Sequence, residues 1–241
     1  MSALVTDSQN GVETRLFDAP TDGSAASIVV APIIATVAAV QSLFLKAGKS
    51  ESHRSHLLHT SGSTGKPKAV QISSKSVIHL ASSIPLDIKP EDCIGQLNNP
   101  GFDLSLFEIW VTLLSGGTIV HIPNPITKEP KLFATFIKDK AISVVILPFA
   151  LLNIVSLGAA YAFQGLHHVI SAGEAPDPHT MERILKSDGP PQNLWNGYGP
   201  TETTCLSTIQ RVTLEDVQSG LISAGTAFGD GILCLLDEHL E

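Results

Sequence analysis

Positive charge is scarce in this chain, and so are aromatic side chains and cysteine. Fifteen lysines and arginines face 23 acidic residues, for a formal net charge of −8. No basic stripe is interleaved with aromatics, so the footprint that neutralises a phosphate backbone is missing and nucleic-acid binding is set aside. The three cysteines, Cys93, Cys205 and Cys234, lie far apart with no CxxC pair. That excludes a disulfide-stapled scaffold and suits reduced thiols in a cytoplasmic protein. The first basic residue is Arg15, with no apolar core close behind it, which argues against a secretory signal. No internal repeat and no low-complexity tract is present.

What is there suits a globular protein: 43% hydrophobic and 16% charged residues over 241 positions, enough for one large core or two small ones. Gly23 to Leu45 carries no charge and is long enough to cross a membrane. Pro32, Thr36, Gln41 and Ser42 interrupt it and alanine fills much of it, so a buried strand and helix is the expectation and no membrane partner is assigned. Residues before about Asp22 read as a loose terminus.

From Leu57 onward, short apolar runs alternate with helical patterns. Ser74–Ser83 reads as a helix, and Leu106, Ile109, Trp110 and Leu113 form a helical stripe that Gly116-Gly117 ends. Thr118–Ile122 reads as a strand, Lys131–Lys140 as an amphipathic helix, and Ile142–Leu147 as a strand buried on both faces. Phe149–Leu157 and His179–Lys186 read as helices. Leu166–Ile170, Asn193–Tyr198, Cys205–Arg211 and Ile232–Asp237 read as strands. The alternation predicts an α/β fold with a largely parallel sheet and flanking helices. Residues 1–50 remain an unassigned N-terminal segment, and 51–241 form the readable domain.

Three motifs carry chemistry. Thr60-Ser61-Gly62-Ser63-Thr64-Gly65-Lys66-Pro67-Lys68 packs hydroxyls, glycines and lysines into nine residues. Glycine lets backbone N–H groups turn toward an anion, and the hydroxyls and ammonium groups add donors, so the loop suits nucleotide phosphates. It is not a Walker A loop, because Pro67 stands where that motif needs Ser or Thr. Its bland alternative is a surface turn. Phe102-Asp103-Leu104-Ser105 precedes the apolar helix, and Ser105 with Glu108 has the spacing of a capping box. Asp103 then either complements the helix dipole or presents a carboxylate to a cationic ligand. Asn196-Gly197-Tyr198-Gly199-Pro200-Thr201-Glu202 places an amide, an aromatic, a hydroxyl and a carboxylate at a strand end, where ligands gather in open α/β sheets. Tyrosine can stack on a base, Asn can read its edge, and Glu can hold Mg²⁺. Ser171-Ala172-Gly173-Glu174-Ala175-Pro176 follows another strand and would share that rim.

In this order the motifs resemble those of the adenylation domains of nonribosomal peptide synthetases, within the adenylate-forming superfamily of acyl-CoA synthetases and luciferases. The match runs from about His56 to Glu241, with Val217–Asp237 resembling the stretch before the next family motif. The resemblance implies activation of an amino acid by ATP to an aminoacyl-adenylate, with transfer to a phosphopantetheine carrier domain. It implies that Thr60, Ser61, Gly62, Ser63, Thr64, Gly65, Lys66 and Lys68 bind the phosphates. Gly173, Glu174 and Ala175 would flank the adenine, with Tyr198 stacked on it and Asn196 at its edge, beside Gly197 and Gly199. Thr201 would contact the α-phosphate and Glu202 would coordinate Mg²⁺; with Lys66 these are the catalytic candidates. Asp103 would pair with the substrate ammonium. Leu104, Phe107, Ile146, Ile170, Ala172, Gly197, Cys205 and Leu206 would line an apolar substrate pocket.

The resemblance covers only the middle of such a domain. The family's ribose-binding Asp and its C-terminal subdomain with the catalytic lysine have no counterpart, so the 241 residues alone are expected to catalyse poorly. The rivals are a non-catalytic nucleotide-binding remnant or incomplete gene product, and an acyl-CoA or aryl-acid ligase. Asp103 speaks against the ligase, which has no α-amino group to bind. His53, His56 and His59 repeat every three residues, but a strand would put His56 and His59 on opposite faces, so a metal site is not expected. His167-His168 reads as a core-edge pair.

Overall fold

A computed structural model describes residues 53–60 and 66–236, together with the backbone of three short strands at 5–7, 12–14 and 27–28. Among the described residues the strands are β1 (Val5–Asp7), β2 (Val12–Thr14), β3 (Ser27–Ile28), β4 (Arg54–Thr60), β5 (Lys68–Ser73), β6 (Cys93–Gln96), β7 (Thr118–His121), β8 (Val144–Pro148), β9 (His168–Ala172), β10 (Asn193–Tyr198), β11 (Thr208–Arg211) and β12 (Thr226–Ala227). Eight of them form one sheet in the order β12-β11-β10-β9-β8-β6-β7-β3. Its centre, β7-β6-β8-β9-β10, is parallel, and β3, β11 and β12 join antiparallel at the two edges. The α/β expectation holds.

The central strands are apolar for the reason their sequences suggested. Val144, Val145, Ile146 and Leu147 are all fully enclosed because helices cover both faces of β8. One face packs under α3 (Pro130–Asp139), α4 (Phe149–Ala159) and α5 (Pro178–Leu185), through Phe133, Ile137, Leu152, Val155, Met181 and Ile184. The other packs under α1 (Ser74–Ser83) and a helical rod over residues 104–115, here α2, through Val77, Leu80, Leu106, Phe107 and Val111. At the amino ends of the strands, Asp92 is buried and binds Ser143 Oγ and His167 Nδ1, each at 2.7 Å, tying three strand starts together. His168, the buried member of the expected pair, accepts from Trp195 Nε1 at 3.0 Å.

Two expectations change. The helix after Asp103 is not capped by a Ser105–Glu108 box. Ser105 Oγ donates to the Phe102 carbonyl at 2.6 Å, and Glu108 turns into the core. The rod winds as a π-helix over Phe107–Val111, the wider turn often found at functional sites. A genuine capping box occurs instead at α6 (Leu214–Ser219), between Thr213 and Asp216. Ile232–Leu236 forms no strand and is exposed, with no strand among the described residues paired to it. The helix expected within Gly23–Leu45 lies outside the described residues, and no helix among the described residues is long and apolar enough to cross a membrane.

Candidate functional site

In the sheet order β7-β6-β8-β9-β10, the chain leaves β6 toward β7 on one side and returns to β8 on the other. The β6/β8 junction is therefore the topological switch point, where ligands bind outside the carboxyl ends of strands. A cavity of about 400 Å³ opens there. Its walls are Asn98 after β6, Pro148 ending β8, Ala172 and Gly173 at the end of β9, and Gly199, Pro200 and Thr201 after β10; Phe102, Asp103, Leu104 and Cys205 complete it.

Asp103 and Thr201, 98 residues apart in sequence, meet across this cavity. Thr201 Oγ1 donates to Asp103 Oδ2 at 2.5 Å. Asp103 stands at the start of α2 with no side-chain capping bond, so its other carboxylate oxygen is not committed to the helix. Thr201 and Glu202 occupy a short 3-10 turn, Thr201–Thr203. Glu202 Oε1 lies 3.4 Å from Lys68 Nζ, joining the third motif to the strand that leaves the glycine-rich loop. Glu202's own backbone N–H, then the Lys68 ammonium, hold that exposed carboxyl below the usual carboxylate range. Ser61, Gly62, Ser63, Thr64 and Gly65 lie outside the described residues; Thr60 and the exposed Lys66 and Lys68 flank them.

The β4–β5 ribbon that carries this loop is anchored to the rod. Trp110 Nε1 donates to His56 Nε2 at 3.1 Å, and the rings meet edge to face. Burial pushes the His56 pKa down, which favours the neutral acceptor this bond needs. His59, adjacent to the buried Leu58, is exposed.

The turn after β10 has a demanding geometry. A Cβ on Gly199 would fall 2.7 Å from both the Cys205 carbonyl oxygen and the Ser207 backbone nitrogen, so only glycine lets the two segments approach. Thr204 and Cys205 both adopt positive φ, 68° and 76°, a strained pair at the cavity wall. Burial pushes the Cys205 thiol well up, so it is a small apolar wall group, not a nucleophile.

The expected substrate residues divide into two layers. Asp103, Leu104, Ala172 and Cys205 reach the cavity. Phe107, Ile146, Ile170 and Leu206 are buried in the apolar cluster behind it, and a Cβ on Gly197 would meet Leu206 Cδ2 at 2.8 Å. Of the adenine candidates, Tyr198 is 57% exposed, and Gly173, Glu174 and Ala175 are exposed nearby. Asn196 is buried and spends an amide N–H on the Ser223 carbonyl at 2.8 Å. Sequence reasoning missed Asn98, Pro148 and Pro200 as wall residues. Asn98 sits in Asn98-Asn99-Pro100-Gly101, which reads as a turn and carries no local signal of a cavity wall.

Behind Asn98 lies Glu108, fully buried. Its carboxylate accepts from the backbone N–H groups of Leu97 and Asn98 at 3.0 and 3.1 Å, from Asn98 Nδ2 at 2.7 Å and from Gln96 Nε2 at 3.4 Å. Burial outweighs these four donors and pushes its pKa up to about 7.

Residues 15–241 match the family model described as AMP-binding enzyme. The chain belongs to this family. It is 38% identical over 191 residues to the nonribosomal peptide synthetase asaC of Aspergillus flavus, covering 79% of this chain and 19% of that protein. It is 33% identical over 189 residues to surfactin synthase subunit 2 of Bacillus subtilis, covering 78% of this chain and 5% of that protein. The AMP-binding chain thus spans a fifth or less of these synthetases' length. Among solved structures it superposes on PA1221, a protein containing adenylation and PCP domains, with a TM-score of 0.72 at 26% identity, over 80% of this chain and 33% of that one. The mixed sheet with flanking helices is similar to that of adenylation-domain structures.

Proposed function

We propose that this chain binds ATP and an α-amino acid and activates the amino acid as an aminoacyl-adenylate. The observation that supports it best is the Asp103–Thr201 pair, which links a substrate-type carboxylate to the motif beside Lys68 and Glu202. On this reading the free Asp103 oxygen takes a hydrogen bond from the substrate ammonium, while Thr201 keeps that carboxylate aimed into the cavity. The substrate side chain runs along Leu104, Ala172 and Cys205. The exposed Tyr198 ring offers a stacking face for adenine beside Gly173, Glu174 and Ala175. The loop from Thr60 to Lys68 receives the phosphates, with Lys66 and Lys68 supplying positive charge.

The donor set at Glu202 fits Mg²⁺. That ion is commonly held by one or two carboxylates plus substrate phosphates, and an exposed carboxylate held in its charged form meets this need. When bound, Mg²⁺ would neutralise charge on the phosphates. In the reaction, a substrate carboxylate oxygen attacks the α-phosphorus as the bond to pyrophosphate breaks. This chain's residues position both reactants, and the apolar walls beside Asp103 favour its pairing. A carrier domain bearing a phosphopantetheine thiol is the proposed acceptor.

Calorimetry tests the reading. ATP with Mg²⁺ should bind the purified chain, and the Lys66→Ala, Glu202→Ala double variant should bind roughly tenfold more weakly or worse, as loss of charge-assisted contacts requires. No ATP binding to well-folded protein would sink it.

A further inference from the structure

The Asn98 side chain can take only one orientation. Its Nδ2 donates to Glu108 Oε1 at 2.7 Å and to the Ile146 carbonyl at 3.1 Å. Both partners are oxygens, so the reversed amide would set oxygen against oxygen, and both N–H bonds of the amide are spent inside the protein. The carbonyl oxygen, Oδ1, has no partner among the described residues. It also keeps solvent contact, since Ser171 Oγ is the one fully enclosed side-chain polar atom among them that lacks a partner. Asn98 lines the cavity, and Oδ1 is its one side-chain polar atom not already spent inside the protein.

Position then separates Asn98 from Asp103. The Asn98 amide is fixed to Ile146 on β8, whereas the Asp103 carboxylate is fixed to Thr201, just past β10. Strand β9 lies between, so the two anchors stand about two strand spacings apart, roughly 10 Å. An ammonium held at Asp103 leaves Asn98 facing the other end of the ligand. The wall groups Leu104, Pro148, Ala172 and Cys205 are apolar or small, and Thr201 has its hydroxyl hydrogen committed to Asp103. The far end of the cavity therefore offers an acceptor and no side-chain donor among its described wall residues.

We propose that Asn98 is a specificity-determining residue whose Oδ1 accepts a hydrogen bond from an N–H or O–H on the side chain of the amino-acid substrate, with Glu108 as the positioning residue that fixes the amide. The inference rests on the amino-acid reading above and narrows it to an otherwise apolar, uncharged side chain carrying one donor.

The test uses the purified chain and calorimetric titration with amino-acid pairs of matched shape that differ by one donor, tyrosine with phenylalanine and threonine with valine. For the pair that fits the cavity, wild-type protein should prefer the donor-bearing member by roughly tenfold. Asn98→Leu, which removes the acceptor, should abolish that preference. Glu108→Leu, which removes one of the two acceptors that fix the amide, should reduce it, while Glu108→Gln, which keeps an oxygen for Asn98 Nδ2, should not. Wild-type protein that binds amino acids without any such preference overturns the proposal with no variant needed. So does an Asn98→Leu variant that weakens both members of a pair equally, because the contact would then lie on a group common to all amino acids. Failure of the underlying reading is distinct: no amino acid binds wild-type protein, or Asp103→Ala leaves binding unchanged.

Discussion

Replacing Glu108 by Gln should turn a pH-dependent core into a pH-independent one. Glu108 is fully buried, and its carboxyl is pushed from 4.5 up to about 7 by burial, against four hydrogen-bond donors. Between those two pH values the folded state binds a proton that the unfolded chain has released, so this group's contribution to stability is present below pH 4.5 and is lost as pH rises through 7. A shift of that size, at about 1.4 kcal/mol per pH unit, amounts to about 3 kcal/mol. Gln keeps the oxygen facing Asn98 but sets an amide nitrogen near Gln96 Nε2, which should cost about 1 kcal/mol. Wild type and variant should therefore be of similar stability at pH 5, and wild type the less stable by about 2 kcal/mol at pH 8. The neutral histidines His56 and His168, held below their usual pKa by burial, contribute the opposite slope as pH falls through 6.5. They are common to both proteins and cancel in the difference. The depressed carboxyls of Asp92, Asp177, Glu182 and Glu202 lose their contribution only in more acid solution. Urea unfolding from pH 5 to 8, followed by the fluorescence of Trp110 and Trp195, reads the difference directly. A wild-type-minus-variant gap constant to within about 0.5 kcal/mol across that range would refute the reasoning, since even a single-unit pKa shift would move it further.

Other outcomes follow from particular contacts. Asp103→Ala should weaken amino-acid binding by roughly 10- to 100-fold, as loss of a hydrogen bond to a charged group requires, while ATP affinity stays within a few-fold; parallel titrations with each ligand check this. Gly199→Ala should destabilise the fold by about 1–3 kcal/mol, because its Cβ meets backbone atoms at 2.7 Å that cannot step aside; thermal unfolding measures it. Trp110→Phe should cost about 1 kcal/mol through the lost bond to His56, and protease nicking near residues 60–68 should quicken as the β4–β5 ribbon loosens.

The sequence by itself determined the elements whose physics is local or one-dimensional. The unbroken apolar run through Val144–Leu147 announced a strand buried on both faces. The Leu106-Ile109-Trp110-Leu113 stripe announced a helix, and Gly116, at φ 78°, ended it as expected. The motif order pointed to an adenylate-forming domain because each motif packs its chemistry into a few adjacent residues. Pairings between distant residues were not legible. Nothing in the spacing of Asp103 and Thr201 says that they bond, and nothing marks Asn98 as a cavity wall. Strand order decided both, by bringing the ends of β6, β8, β9 and β10 to one rim. Glu108 shows the limit most sharply: three residues after Ser105, it fits a helix cap by sequence rule. The π-turn at Phe107–Val111 and the enclosed donors of Leu97 and Asn98 draw it inward instead, because unpaired buried N–H groups cost more than an exposed cap would return.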